Sequence, residues 1–186
     1  MYILAVVGSP RLGGNTNYLV DQALQEAAQL GATTEKIVLS EYKVGACFAH
    51  GNCSEFDSCV QKDDGVWILQ NFCKADGVIL ATPVYYYDVS AWMKIFIDRN
   101  YFLSRHGTKC RAKTVGLIVV GGGVGIEDTV SALNRFVNGS SFNHIPEDKR
   151  FVVTGYASEP GDVKDNRKLI VEASELGRQM VESLKQ

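Results

Sequence analysis

The sequence carries no excess of charge, no apolar run long enough to cross a bilayer and no even set of cysteines. Nineteen basic residues against twenty-one acidic ones leave a net charge of −2. That balance predicts no nucleic-acid partner and no attraction to an anionic membrane. The opening apolar run, Tyr2 to Val7, has no basic flank and stops at Gly8, too short for a secretory signal. A second run, Val115 to Val120, falls far short of a membrane span. Five cysteines, an odd number, without an export signal argue for a reducing compartment rather than a disulfide scaffold. The expectation is a cytoplasmic protein. With 186 residues, 46% of them apolar, one domain spanning 1–186 can bury a full core.

What is present is an alternation. Five short runs rich in Val, Ile, Leu and Ala, at 2–7, 36–39, 77–81, 114–120 and 151–154, read as parallel strands buried on both faces. Between them, helical periodicity covers 16–30, 64–74, 90–103 and 127–138, with a last helix from about 164 to 184. In that last segment Leu169, Ala173, Leu176, Met180 and Leu184 share one face, with charges opposite. Strand and helix in this alternation predict a three-layer, doubly wound α/β sandwich on a five-stranded parallel sheet of order 2-1-3-4-5. In such a sheet a ligand sits where the order reverses, beside the first and third strands.

Three loops at that edge are chemically unusual. The first, "VVGSPRLGGNTN", has the two-glycine spacing of a phosphate loop, but Gly14 and Asn15 stand where Lys and Ser/Thr are needed for triphosphate chemistry. It also has no cysteine nucleophile. Ser9, Asn15, Thr16 and Asn17 offer hydrogen bonds, Arg11 offers charge, and a helix N-terminus follows. The chemistry suited to this loop is retention of a phosphate rather than its transfer; the alternative is a plain turn capped by Asn or Thr. The second loop, "TPVYYYDVSAWMKIFIDRN", would raise Pro83 and Tyr85–Tyr87 as a wall beside a flat ring. Its continuation through Trp92, Ile95, Phe96 and Arg99 is too apolar for a free helix and suggests a subunit contact. The third, Gly121 to Gly125, lets backbone approach a ligand closely. A phosphate and a planar ring without triphosphate chemistry point to FMN.

These stretches, with "KDDGVWILQNFCKADGVILATPVYYYDVSAWMKIFIDR", resemble the NADPH-dependent FMN reductases of flavodoxin-like fold, and within them the iron–sulfur flavoprotein branch. The resemblance covers roughly residues 1–125. It implies that Ser9, Arg11, Asn15, Thr16 and Asn17 hold the FMN phosphate. Pro83, Val84, Tyr85 and Tyr86 would follow the ribityl chain and ring edge, with Gly121, Gly122 and Gly123 beside the ring. It also implies a homodimer or homotetramer. The implied reaction is hydride transfer from NAD(P)H to flavin N5, with electrons passing on to a flavin, quinone, metal ion or redox protein. The alternatives are an FMN electron carrier and a flavin-sensing interaction module.

One segment departs from the branch. The loop at 43–62 spaces Cys47, His50, Cys53 and Cys59 as Cys-x2-His-x2-Cys-x5-Cys, with His50 where the relatives carry a second cysteine. Three thiols and an imidazole could hold zinc or an iron–sulfur cluster with one nitrogen ligand. The more economical reading is three reduced thiols and a solvated histidine. Asp63 and Asp64 read as a helix N-terminal cap. Cys73 and Cys110 have no partner spacing and read as ordinary packed or surface thiols. His106 and His144 receive no role.

Overall fold

A computed structural model describes residues 1–186. In chain order the elements are β1 (Tyr2–Val7), α1 (Asn15–Gln29), β2 (Thr33–Val38), α2 (Gly65–Lys74), β3 (Gly77–Tyr85), β4 (Asp88–Val89), α3 (Ala91–Arg99), α4 (Tyr101–Arg105), β5 (Thr114–Gly121), α5 (Ile126–Val137), β6 (Arg150–Tyr156) and α6 (Arg167–Lys185). The five long strands pair in parallel in the order β2-β1-β3-β5-β6. This is the flavodoxin-like arrangement, with the order reversing between β1 and β3. No helix is long and apolar enough to cross a membrane.

The apolar runs are continuous because both faces of the sheet are covered. In β1, Leu4 and Val6 point to one side and join Ile68, Phe72, Met93, Phe96 and Leu133 from α2, α3 and α5. Ile3, Ala5 and Val7 point to the other and meet Leu19 and Ala23 of α1 and Leu169, Ala173 and Met180 of α6. On that second side α1 and α6 touch backbone to backbone. A Cβ placed on Gly177 would stand 2.0 Å from the Ala23 carbonyl oxygen.

The structure revises several boundaries. The second strand begins at Thr33, because Thr33–Lys36 extend the ladder along Tyr2–Ala5 at a half-covered edge where polar residues are tolerated. β3 runs on to Tyr85 and folds back as the antiparallel β4, a sixth strand. The two residues of that turn, Tyr86 and Tyr87, have φ of 49° and 64°. Positive φ at both positions is the geometry a tight two-residue hairpin requires, normally met by Asn or Gly. The helix expected over 90–103 breaks at Asn100. There the side-chain Nδ2 donates to the Phe96 carbonyl at 2.8 Å while the backbone N–H turns to Ile97. Its amide competes with the helix ladder. Phe96 and Arg99 are only 2% and 1% exposed, so they face inward rather than toward a subunit contact. Trp92 remains on the surface.

Candidate functional site

The carboxyl ends of β1, β3, β5 and β6 are tied to one another by hydrogen bonds that fix their loops. Gly8 N donates to the Ala81 carbonyl at 2.8 Å, and Ser90 Oγ donates to the Gly8 carbonyl at 2.6 Å. Ser90 also caps α3 by accepting from Met93 N, so one hydroxyl joins the first loop to the second. Gly8 is required there: a Cβ would lie 2.7 Å from both Met93 Cβ and Ser90 Oγ. Further along, Ala157 N donates to the Gly121 carbonyl at 2.9 Å.

Within the first loop the chain closes on itself. Gly14 N and Asn17 Nδ2 both donate to the Arg11 carbonyl, at 2.9 and 3.0 Å, and Arg11 N donates to Ser9 Oγ at 3.3 Å. This turn delivers the N-terminus of α1. The helix has no side-chain cap, and the backbone N–H groups of Asn15, Thr16 and Asn17 find no acceptor within the chain. Three unpaired donors at the positive end of a fifteen-residue helix form a ready anion site. The exposed Arg11 guanidinium pairs with no carboxylate. Nothing inside the chain neutralises either feature.

A cavity of about 240 Å³ opens beside these donors. Of the residues expected at the site, it brings together Ser9, Arg11, Asn15, Thr16, Pro83, Val84, Tyr85 and Gly122. It does not include Asn17, which is buried and occupied in closing the turn. Tyr86 is fully exposed at the hairpin tip, away from the lining. Gly121 and Gly123 flank Gly122 without lining the cavity. Asn15 has a part other than the expected one for its side chain. Oδ1 accepts from Gly161 N at 2.8 Å and Val163 N at 3.4 Å, and Nδ2 donates to the Glu159 carbonyl at 2.8 Å. It therefore staples the loop after β6 to the phosphate-type turn, and its backbone N–H is left for a ligand.

That loop after β6 was missed. Ala157, Ser158 and Pro160 complete the cavity wall, and Asp162 shapes the segment by accepting from Ser158 N and Glu159 N. The signal was the small, Pro- and Gly-containing "ASEPG" directly after the last strand.

The cysteine loop lies elsewhere. Its anchor is Arg99, whose Nη1 donates to Asp63 at 2.6 Å and to the Gly45 carbonyl at 3.1 Å, while Nη2 reaches Asp63 at 3.0 Å and Cys59 Sγ at 3.5 Å. Asp63 is thus the partner of a buried arginine, not merely a cap. Its Oδ1 does accept from Gly65 N at 3.0 Å at the start of α2. Asp64 instead accepts from Lys43 N. Burial pushes the Asp63 carboxyl up, but the hydrogen bonds from Arg99, Gly45 and Gly65 outweigh it and hold the group below its usual range. Cys47 Sγ accepts from Ala49 N, Cys53 is buried, and no three metal-ligating side chains are gathered anywhere in the chain. His106, given no role from the sequence, bridges the Phe56 and Phe102 carbonyls at 2.8 Å each.

Comparison with known proteins agrees with this fold. Over 184 residues the chain is 35% identical to an iron–sulfur flavoprotein of Archaeoglobus fulgidus, covering 98% of this chain and 80% of that one. An iron–sulfur flavoprotein of Methanocaldococcus jannaschii is 34% identical over 100% of this chain and 98% of its own. The fold superimposes on the NAD(P)H:quinone oxidoreductase of Methanothermobacter marburgensis with a TM-score of 0.75, at 17% identity over 97% of this chain and 96% of that one. The model of the family described as NADPH-dependent FMN reductase matches residues 1–156, and the chain belongs to that family.

Proposed function

We propose that the chain is an FMN-dependent NAD(P)H oxidoreductase that holds its flavin phosphate at the N-terminus of α1. The observation that carries this reading is the set of unpaired donors there, the N–H groups of residues 15–17 and the free Arg11 guanidinium, with Arg11, Asn15 and Thr16 lining the 240 Å³ cavity. The residues fit FMN. A monoester phosphate would complete the donors of the first loop, with the Ser9 hydroxyl as a further donor. Pro83, Val84 and Tyr85 supply an apolar and aromatic wall, and Gly122 leaves backbone exposed beside Ser158. When bound, FMN supplies the redox chemistry, taking two electrons as hydride from a nicotinamide and passing them to an acceptor. The chain's contribution is positional. The Ser90 and Asn15 hydrogen bonds hold the loops in register. No side-chain base is needed for hydride transfer, and none lines the cavity.

The relatives' names raise an iron–sulfur cluster, and this chain does not fit one held by four thiolates. The segment offers three thiols beside His50, Cys59 is engaged with Arg99, and the four residues do not converge.

The test is anaerobic mixing of the FMN-loaded protein with NADPH or NADH. Rapid bleaching of the flavin absorbance is expected. No bleaching with either nucleotide would leave a carrier rather than a reductase, and failure to retain FMN would remove the whole reading.

A further inference from the structure

At the opposite end of the sheet the structure joins two cysteines that are 37 residues apart. Cys73, in the last turn of α2, and Cys110, four residues before β5, have their sulfurs 3.2 Å apart. The sequence reading of two unrelated thiols is corrected here: strand order brings the end of α2 beside the entry to β5. The backbones are already fastened together, since Arg111 N donates to the Cys73 carbonyl at 3.1 Å and Cys110 N to the Ser141 carbonyl at 2.7 Å. A disulfide here would shorten the sulfur separation from 3.2 Å to about 2.05 Å.

The two thiols are not equivalent. Cys110 is fully buried. Cys73 is half-buried and lines a cavity of about 330 Å³, together with Val66, Leu69, Phe102 and Lys74. The thiol–thiol hydrogen bond holds Cys73 below its usual range, and the same bond together with burial pushes Cys110 up. One thiol is reachable and easier to ionise. The other waits behind it, protonated.

We propose that Cys73 and Cys110 are a two-electron thiol–disulfide couple, with Cys73 oxidised by a small hydroperoxide that enters the cavity and Cys110 resolving the product. In the first step Cys73 Sγ attacks the outer peroxide oxygen and the O–O bond breaks. The leaving alkoxide or hydroxide takes up a proton, and Cys73 becomes a sulfenic acid. In the second, Cys110 Sγ attacks the Cys73 sulfur, the S–O bond breaks, and the hydroxyl leaves as water with the Cys110 proton. Two thiols lose two electrons and two protons; one hydroperoxide becomes one alcohol, or water, and one water. The pair stands at the amino-terminal edge of the sheet. The phosphate-type loop is a six-residue strand away, roughly 20 Å at 3.3 Å per residue, so the couple needs no flavin as oxidant.

The experiment treats the reduced full-length protein with one equivalent of hydrogen peroxide, blocks remaining thiols and maps peptides by mass. A Cys73–Cys110 cross-link that has lost two hydrogens and is restored by dithiothreitol is expected. In Cys110→Ser, dimedone should trap a sulfenic acid on Cys73; in Cys73→Ser, Cys110 should stay unmodified. Wild-type protein with both thiols still free, or oxidised first at Cys59 on the same cavity, overturns the proposal. So does oxidation of Cys73 without the cross-link.

Discussion

Replacing Asp63 by Asn tests whether the cysteine loop is held by charge. Arg99 is 1% exposed and its only carboxylate partner is Asp63, itself 15% exposed. Asparagine keeps the shape and one acceptor oxygen, but it leaves the guanidinium buried without a counter-charge. Breaking such a pair from one side costs about 3–5 kcal/mol, and the retained acceptor sets the expectation near 3. At roughly 2–4 °C per kcal/mol for a chain of this size, the melting temperature should fall by about 6–12 °C. A matched control is at hand in Asp98→Asn. Its pair with Lys94 has the same 2.6 Å separation, but the side chains are 46% and 56% exposed, and pairs of that kind contribute about 0–1 kcal/mol. Adding Arg99→Met to Asp63→Asn should recover part of the loss, because no buried charge remains. The sign with pH follows from the depressed carboxyl. The stabilisation is complete above the unfolded value near 4 and is lost as pH falls below it through the folded value. Thermal melts of wild type and the three variants at pH 7, repeated toward pH 3, provide the readout. Equal melting temperatures for Asp63→Asn and Asp98→Asn would refute the claim that burial makes the Arg99 pair count.

Three further outcomes are expected. Arg11→Ala should weaken FMN binding by about tenfold and flatten its dependence on ionic strength, as followed by quenching of flavin fluorescence; charge-assisted hydrogen bonds are the stronger kind, and exposure keeps this one at the low end. Gly177→Ala should destabilise the fold by about 1–3 kcal/mol in urea titration despite alanine's better helix propensity, because its Cβ would meet the Ala23 carbonyl at 2.0 Å. Replacing Tyr86–Tyr87 by Asn–Gly should stabilise the protein by about 1–2 kcal/mol in the same titration, since both positions have positive φ; a slower reaction with NAD(P)H in that variant would show what the strained tyrosines contribute.

Most of the scaffold was legible because its determinants are local. Apolar runs without alternation announce strands covered on both faces, and the spacing of Leu169 to Leu184 announces a helix with one buried side. The turn of the first loop was legible for the same reason: glycines, short polar side chains and a following helix set its course within a dozen residues. What lay beyond the sequence were partners far along the chain. The Asn15 side-chain amide is tied to a loop 146 residues later. Arg99 reads as part of a subunit contact until Asp63 and Gly45 fold over it.

By itself the sequence determined the α/β alternation, the flavodoxin-like order and the phosphate-type turn. Only the tertiary structure decided that the loop after β6 closes the cavity, that Arg99 anchors the cysteine loop and that Cys73 meets Cys110. Hydrogen-bonding and packing patterns inside one element repeat with the backbone's own period and are written in neighbouring residues. Contacts between elements depend on which strand lies beside which, and that is settled only when the two faces of the sheet are filled.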